Sequence, residues 1–351
     1  TIEIPANITL TIIDSKLFAC GDMWKGIVVD AGGKLNITNS EIADAEYGAF
    51  AKLTSTLTSI ITVTNAIFNS NYIGIYIQPN AVGFNTINLR VTGTHFISSY
   101  NLKYSSNISP LGSVPYAGIY LNNLTCIIGS SFANQNQFNK QNIGIRSDKS
   151  VLTVWNSTFV RIRRDAAYRD YFDGSGIYAS GNDAIYSLHS YGLGKFGPTC
   201  FDDCDYGIFI DGVSGFDRTS HMTNVSNGVY ITNLAAKTSY SCFANHIECE
   251  WSGIESAFNP YADAISITGN TIDVNNIQGG GIGIGAYEIG ASPYNFSVSS
   301  NTINLSNIPG FLSHIGIDVY GVRGLKIDHN LVHLNNVNNY AGVSLNSADK
   351  N

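Results

Sequence analysis

A four-residue phrase, Gly-[Ile/Val/Ala]-x-[aliphatic or small], returns along the whole chain. Its copies begin at Gly26, Gly48, Gly74, Gly118, Gly144, Gly176, Gly207, Gly228, Gly253, Gly281, Gly316 and Gly342. Most successive copies lie about 21–35 residues apart, the spacing of stacked structural repeats whose loops vary in length. Alternate residues of an extended strand face opposite sides. The second and fourth positions, such as Ile75 and Ile77 or Ile208 and Ile210, therefore point inward, and the third points out. In order, the third positions are Val28, Phe50, Tyr76, Tyr120, Arg146, Tyr178, Phe209, Tyr230, Glu255, Gly283, Asp318 and Ser344. An outward row that is usually aromatic over the first two-thirds of the chain is the strongest functional clue in the sequence.

A second phrase follows most copies of the first: an aliphatic residue, four small or polar residues, then Phe, Ile, Val or Leu. Examples are Ile37–Ile42, Val63–Phe68, Val91–Phe96, Val154–Phe159 and Ile267–Ile272. Its polar middle carries Asn39, Asn65, Gly93, Asn156, Gly269 or Asn330, residues that tolerate the left-handed backbone of a sharp corner. Each repeat thus reads as strand, turn, strand, corner, short strand, and no stretch has a capped, sustained 3.6-residue apolar period. The pattern predicts an all-β fold: a right-handed parallel β-helix (solenoid) of about twelve coils with few helices, forming one domain over residues 1–351. Propellers and sandwiches need regular antiparallel hairpins with Asn-Gly-type turns, and no such series is present.

Composition narrows the partners. Only 13% of residues are charged, and the formal charge of −7 with a pI near 5.4 argues against a general nucleic-acid binder. No run approaches the ~18 apolar residues of a membrane span. Thr1 already stands in strand-like sequence, so any export signal is expected to have been removed or to lie outside the numbered residues. The last copy of the phrase, at Gly342, is followed by no capping element. A further stretch of chain or another subunit is expected to cover that end. The six cysteines permit a disulfide framework without requiring one. Cys200 and Cys242 each precede a phenylalanine in what read as equivalent positions, about two strand spacings apart and beyond disulfide reach. Buried or locally paired cysteines are the expectation.

The segment Ala19-Cys20-Gly21-Asp22-Met23-Trp24-Lys25-Gly26-Ile27-Val28-Val29, with Gly32-Gly33-Lys34-Leu35, Ile42-Ala43-Asp44-Ala45 and Phe68-Asn69-Ser70-Asn71-Tyr72-Ile73-Gly74-Ile75-Tyr76 after it, resembles a recurring passage in exported β-helix proteins of Bacteroidetes. The chain more broadly resembles the pectin-lyase-like superfamily. The specific likeness covers about the first 80 residues; beyond them only the general repeat persists. It implies a secreted or cell-surface location and, in many members, a separate C-terminal sorting module of the type IX secretion kind. The family mixes adhesins and enzymes, so the likeness does not choose between them.

The outward residues Phe50, Tyr76, Tyr120, Tyr178, Phe209 and Tyr230 offer flat, rigid surfaces of the kind sugar rings pack against, with hydroxyls in addition. The alternative is a surface ladder of rings that stabilise one another or lie under long loops. Arg146 interrupts the row, where it could stack on Tyr120 or Tyr178. Four arginines, Arg161, Arg163, Arg164 and Arg169, follow on a loop that leads to Tyr178. Planar guanidinium groups suit carboxylate or sulfate recognition, while Asp165, Asp170 and Asp173 could neutralise that loop internally.

The row then turns acidic at Glu255 and Asp318, two coils apart, near the upper end of the carboxylate separation of an inverting glycosidase. Asp211 and Glu288 flank the same face. The paired-Asp and Gly-His-Gly signatures of polygalacturonase-like enzymes are missing, and a lyase base could come only from Arg146 and its neighbouring arginine loop. No acid/base set converges, so Arg146, Glu255 and Asp318 remain the weak catalytic candidates. Asp202-Asp203-Cys204-Asp205 could bind calcium, but a local acidic corner is the preferred reading because calcium takes six to eight oxygens. The histidines follow no metal-ligand motif, so neither a metal nor a cofactor is expected.

The leading expectation is a non-catalytic extracellular or cell-surface β-helix protein for adhesion or carbohydrate binding, carried in part by Arg163 and Arg164, with other subunits of a surface assembly as further partners. The alternatives are a polysaccharide lyase or glycoside hydrolase acting on an acidic polysaccharide, and a purely structural filament component.

Overall fold

The computed structural model describes residues 1–52, 59–78, 88–109, 112–130, 134–191, 199–234, 236–259, 261–275, 280–287, 295–306, 314–322, 324–335 and 340–346. They form a right-handed parallel β-helix, and no helix occurs among them. The chain divides into two compact units, one holding Thr1–Tyr178 and the other beginning at Ala179.

In the first unit each coil contributes three strands. The glycine phrase forms Trp24–Val29, Ala45–Ala51, Ile73–Ile77, Ala117–Asn122 and Ile143–Asp148. The second row holds Thr9–Ile13, Lys34–Thr38, Ile60–Thr64, Asn88–Thr92, Thr125–Ile128 and Val151–Trp155. A short third row, including Glu41–Ala43, Ile67–Asn69 and His95–Ile97, returns the chain to the next copy of the phrase. Pairing is parallel throughout, and Tyr76 stands in register with Phe50 on one side and Tyr120 on the other. Left-handed residues make the corner after the second row, at Asn39, Asn65, Gly93 and Asn156, as the polar middle of that phrase predicts.

Register explains why the first position is glycine. The third row places Phe68, Phe96, Phe138 and Phe159 inside the coil, stacked with ring centroids 5.1, 4.8 and 4.8 Å apart. Each ring lies over the backbone of the preceding glycine phrase. A Cβ on Gly74 would fall 2.6 Å from Phe96 Cδ1 and 2.5 Å from the Gly118 carbonyl oxygen, well inside contact distance. The phrase is thus half of a packing rule whose other half is the phenylalanine ladder. Ile75, Ile77, Ile119 and Leu121 complete the core with no exposed surface.

The second unit follows the same plan with a different filling. Its third-row core begins with Phe201 and continues with Met222, Ile247, Ile272 and Ile303, all buried. Strands His221–Thr232 and His246–Ala257 run through the third row and the glycine phrase without a break. At its corners an asparagine ladder ties coil to coil. The backbone N–H groups of Ser220, Asn245, Asn270 and Asn301 donate to Oδ1 of Asn245, Asn270, Asn301 and Asn330 at 2.9–3.0 Å. The four amides in turn donate to the carbonyls of Asp217, Cys242, Ile267 and Val298. The amide nitrogen and oxygen of Asn245, Asn270 and Asn301 all have partners within the ladder, as buried amides require.

Three expectations change. Gly281-Ile282-Gly283-Ile284-Gly285 offers two frames for the phrase, and the pairing of Ile254 with Ile284 selects the later one. The outward position is therefore Gly285, not Gly283. In the last corner the left-handed residue is His329 rather than Asn330. Cys200 lies in the third row and Cys242 in the second, so the two are not equivalent. None of the six cysteines forms a disulfide bond, and Cys126, Cys204, Cys242 and Cys249 are buried. No helix among the described residues is long and apolar enough to cross a membrane.

Candidate functional site

The outward row of the first unit is a graded strip. Tyr47, Phe50 and Tyr76 form a triangle with all three centroid separations at 5.3 Å, and Tyr76 meets Tyr120 at 5.1 Å. The Phe50 and Tyr76 rings are nearly parallel, their planes 7° apart. At that separation parallel rings are offset, so each covers part of its neighbour's face and leaves the rest open. Phe50, Tyr76 and Tyr120 are all half-buried. Burial raises the Tyr47 and Tyr76 hydroxyls above their ordinary range, and they stay phenolic.

The strip closes at Arg146. Its guanidinium carbon lies 4.7 Å from the Tyr120 ring centroid and 5.0 Å from that of Phe172. Nε and Nη2 each reach Asp148 Oδ2 at 3.0 Å, and Nη1 donates to the Tyr116 hydroxyl. Burial opposes the charge on Arg146, but Asp148 and the two tyrosines outweigh it and hold the group protonated. That environment is the reverse of what a lyase base needs, since a base must give up its proton. Phe172 stacks on Tyr178 at 3.9 Å, which leaves Tyr178 only 4% exposed.

Two loops lock this closed end. The Tyr168 hydroxyl donates to the Val114 carbonyl at 3.2 Å, and its ring meets Tyr116 edge-on. Asp165 accepts from the Ser113 amide and hydroxyl at 2.9 and 2.6 Å. Burial alone would raise the Asp165 carboxyl; hydrogen bonds from Ser113 and the Ala167 amide outweigh it and hold the group low. Asp173 accepts from the Asn142 side-chain amide and the Asp170 N–H, both at 2.7 Å. Arg164 donates from Nη2 to the Tyr171 carbonyl at 3.2 Å and stays exposed, and Arg163 is half-buried on the same loop.

In the second unit Phe209 is 1% exposed, packed 4.8 Å from Tyr230 and 5.1 Å from Tyr206. Tyr230 is half-buried, and its hydroxyl is pushed up to about 12 by burial and by Glu255. Glu255, Gly285 and Asp318 are successive partners in register. The Tyr287 ring folds back over Gly285, 2.8 Å from where a Cβ would stand, and its hydroxyl donates to Asp318 Oδ2 at 3.2 Å. Burial raises the Glu255 carboxyl, against the hydrogen bond from Ser252. A raised acid facing a second carboxylate is the charge pattern of a glycosidase. Here, however, the tyrosine ring stands over the residue between them, where an inverting enzyme keeps its water. Asp211 Oδ1 is held by Asn233 at 2.8 Å, and Glu288 lies outside the described residues. Asp202 is similarly engaged, accepting from Thr223 and Asn224 at 3.0 and 2.9 Å.

The structure thus brings together Phe50, Tyr76, Tyr120, Arg146 and Tyr178. It adds Tyr47, Tyr72, Tyr116, Asp148, Tyr168 and Phe172, which the outward-position rule does not select. Tyr47, Tyr72 and Tyr116 each stand one or two residues before the phrase glycine, a regularity visible in the sequence. Tyr168 and Phe172 come from a loop whose docking no repeat predicts. No protein-family model matches the chain, and no curated protein matches it.

Proposed function

We propose that this protein is a non-catalytic, exported β-helix protein that binds polysaccharide at a cell surface through the open part of its first-unit strip. The observation that carries the proposal is the half-buried run Phe50, Tyr76 and Tyr120, held in register at one ring per coil with Tyr47 packed beside its start, and ending at a charged Arg146–Asp148 pair. Offset rings at the strand repeat present apolar surface and phenolic hydroxyls together, the combination that suits a sugar chain lying along the coils. The likeness of the first 80 or so residues to exported β-helix proteins of Bacteroidetes, and of the repeat to the pectin-lyase-like superfamily, supports the extracellular setting. The protonated Arg146 and the interposed Tyr287 ring favour binding over turnover.

The test is retention on immobilised neutral and uronic-acid polysaccharides, with Phe50→Ala and Tyr76→Ala as variants and circular dichroism to verify folding. The expected result is saturable retention that weakens at least tenfold in each variant. Equal retention by folded variants removes the strip from the binding site. Release of unsaturated products or new reducing ends from the polymer replaces the proposal with an enzymatic one.

A further inference from the structure

The third strand row of the second unit carries a side-chain cluster that the strip does not use. His246 and Glu248 stand two residues apart in strand His246–Ala257, so both leave the same face. Asp273, on the next strand, is the register partner of Glu248. His246 Nε2 lies 3.5 Å from Glu248 Oε1 and 3.2 Å from Asp273 Oδ2, and the three groups offer ligand atoms all within 4.8 Å of one another. Yet Nε2 is shielded from solvent and makes a hydrogen bond to neither carboxylate. Three donor atoms this close, with the nitrogen directed at neither oxygen, surround a common point.

The separations fit a small ion. Bonds of about 2.0–2.2 Å from zinc to imidazole nitrogen and carboxylate oxygen place neighbouring tetrahedral ligand atoms about 3.3–3.6 Å apart. Asn304 Nδ2 donates to the other oxygen of Asp273 at 2.5 Å, leaving Oδ2 to face His246. Such outer hydrogen bonds orient the ligands of metal sites. The His221 ring stacks on His246 with centroids 4.9 Å apart and planes within 9°, which fixes the imidazole plane. An imidazole with two carboxylates suits zinc-like ions better than calcium, which takes six to eight oxygens. The His246 and Glu248 side chains are 43% and 42% exposed, so the cluster lies at the surface although Nε2 itself is shielded.

We propose that His246, Glu248 and Asp273 form a binding site for a divalent cation of the zinc class. The experiment is calorimetric titration of tag-free protein with Zn2+, paired with visible spectroscopy of Co2+ binding. Expected are one equivalent bound, the intense absorption of tetrahedral Co2+, and affinity at least tenfold weaker in His246→Ala and Asp273→Asn. Asn304→Ala weakens binding about tenfold by freeing the Asp273 carboxylate, and His329→Ala, at an exposed histidine outside the cluster, leaves it unchanged. Absence of saturable binding in the wild type overturns the proposal and leaves an ion-paired cluster. Binding that persists at full strength in His246→Ala overturns it equally, by assigning the ion to other surface groups.

Discussion

Arg146 and Tyr120 share one acceptor: Asp148 Oδ2 receives the Tyr120 hydroxyl at 2.8 Å and Arg146 Nε at 3.0 Å, while the guanidinium lies over the tyrosine ring. Cation, ring and carboxylate form one unit, largely withdrawn from water, with 19% and 14% of the Arg146 and Asp148 side chains exposed. Removing the arginine leaves the carboxylate half-paired and strips a packed side chain from four rings. Arg146→Ala is therefore expected to lower stability by about 2–4 kcal/mol, below the full penalty of a wholly buried pair because both groups keep some water. Arg146→Lys, which keeps charge but loses the planar fork, costs about 1–2 kcal/mol. Urea midpoints check both. Asp148→Asn should recover part of the alanine variant's loss, and strict additivity in that double-mutant cycle would contradict the shared-acceptor account.

Gly74 and Phe96 divide one space between them. Gly74→Ala places a methyl against the Phe96 ring and the Gly118 carbonyl, so it should destabilise by about 1–3 kcal/mol or more, as overpacking does. Phe96→Leu added to it frees the ring contact but not the carbonyl contact, and should restore only part of the loss. Full restoration would mean that the backbone of the next coil yields, contrary to a rigid coil spacing.

The coil itself was readable because its inward positions repeat with a period of two inside a longer period, and both signals are local. Glycine in the first position and the aromatic or aliphatic residue six places into the second phrase are coupled across coils, yet each appears in the chain as a simple repeat. Where the local signal was ambiguous the frame slipped, as at Gly281 to Gly285, because only the pairing of Glu255 with Gly285 decides it. Exposure was not readable at all for Tyr178, since the ring that covers it, Phe172, comes from a loop with no repeat partner. His246 and Glu248 are spaced for one strand face, but Asp273 joins them only through stacking of coils.

Asn270 occupies the middle of the corner ladder in the second unit. Its amide nitrogen donates to the Cys242 carbonyl at 3.1 Å and to Asn301 Oδ1 at 2.9 Å, while its Oδ1 accepts the Asn245 amide. Asn270→Ala leaves a buried carbonyl and a buried N–H without partners, a loss of about 2–4 kcal/mol by ordinary costs per orphaned group. Asn270→Asp keeps the acceptor but sets a carboxylate against two oxygens that need a donor. At neutral pH it should be the more damaging change, despite its closer shape. Denaturation midpoints rank the two variants, and hydrogen exchange at the Asn245 amide should quicken in the alanine variant. The reverse ranking would show that the nitrogen's two bonds matter less than the oxygen's one.

Asp217 is fully buried in the second unit, with Oδ1 accepting the Ser220 hydroxyl at 2.6 Å and Oδ2 lacking any partner. Burial raises its carboxyl to about 6, against the hydrogen bond from Ser220. The unfolded chain releases this proton near the ordinary ~3.9. Between those values the folded state holds more proton than the unfolded state, so stability falls as pH rises. The contribution is fully present below pH ~4 and is lost by pH ~6–7, an overall change of about 3 kcal/mol for a shift of ~2 units. Asp217→Asn lacks the titration. The wild-type protein should therefore lose stability relative to this variant as pH rises from 4 to 7, and the difference should level off above that. Ser220→Ala removes a bond to the ionised form, so the decline should extend to higher pH. Urea midpoints measured across this range give the comparison, and parallel curves for wild type and Asp217→Asn would show that Asp217 is already ionised in the folded protein at acid pH.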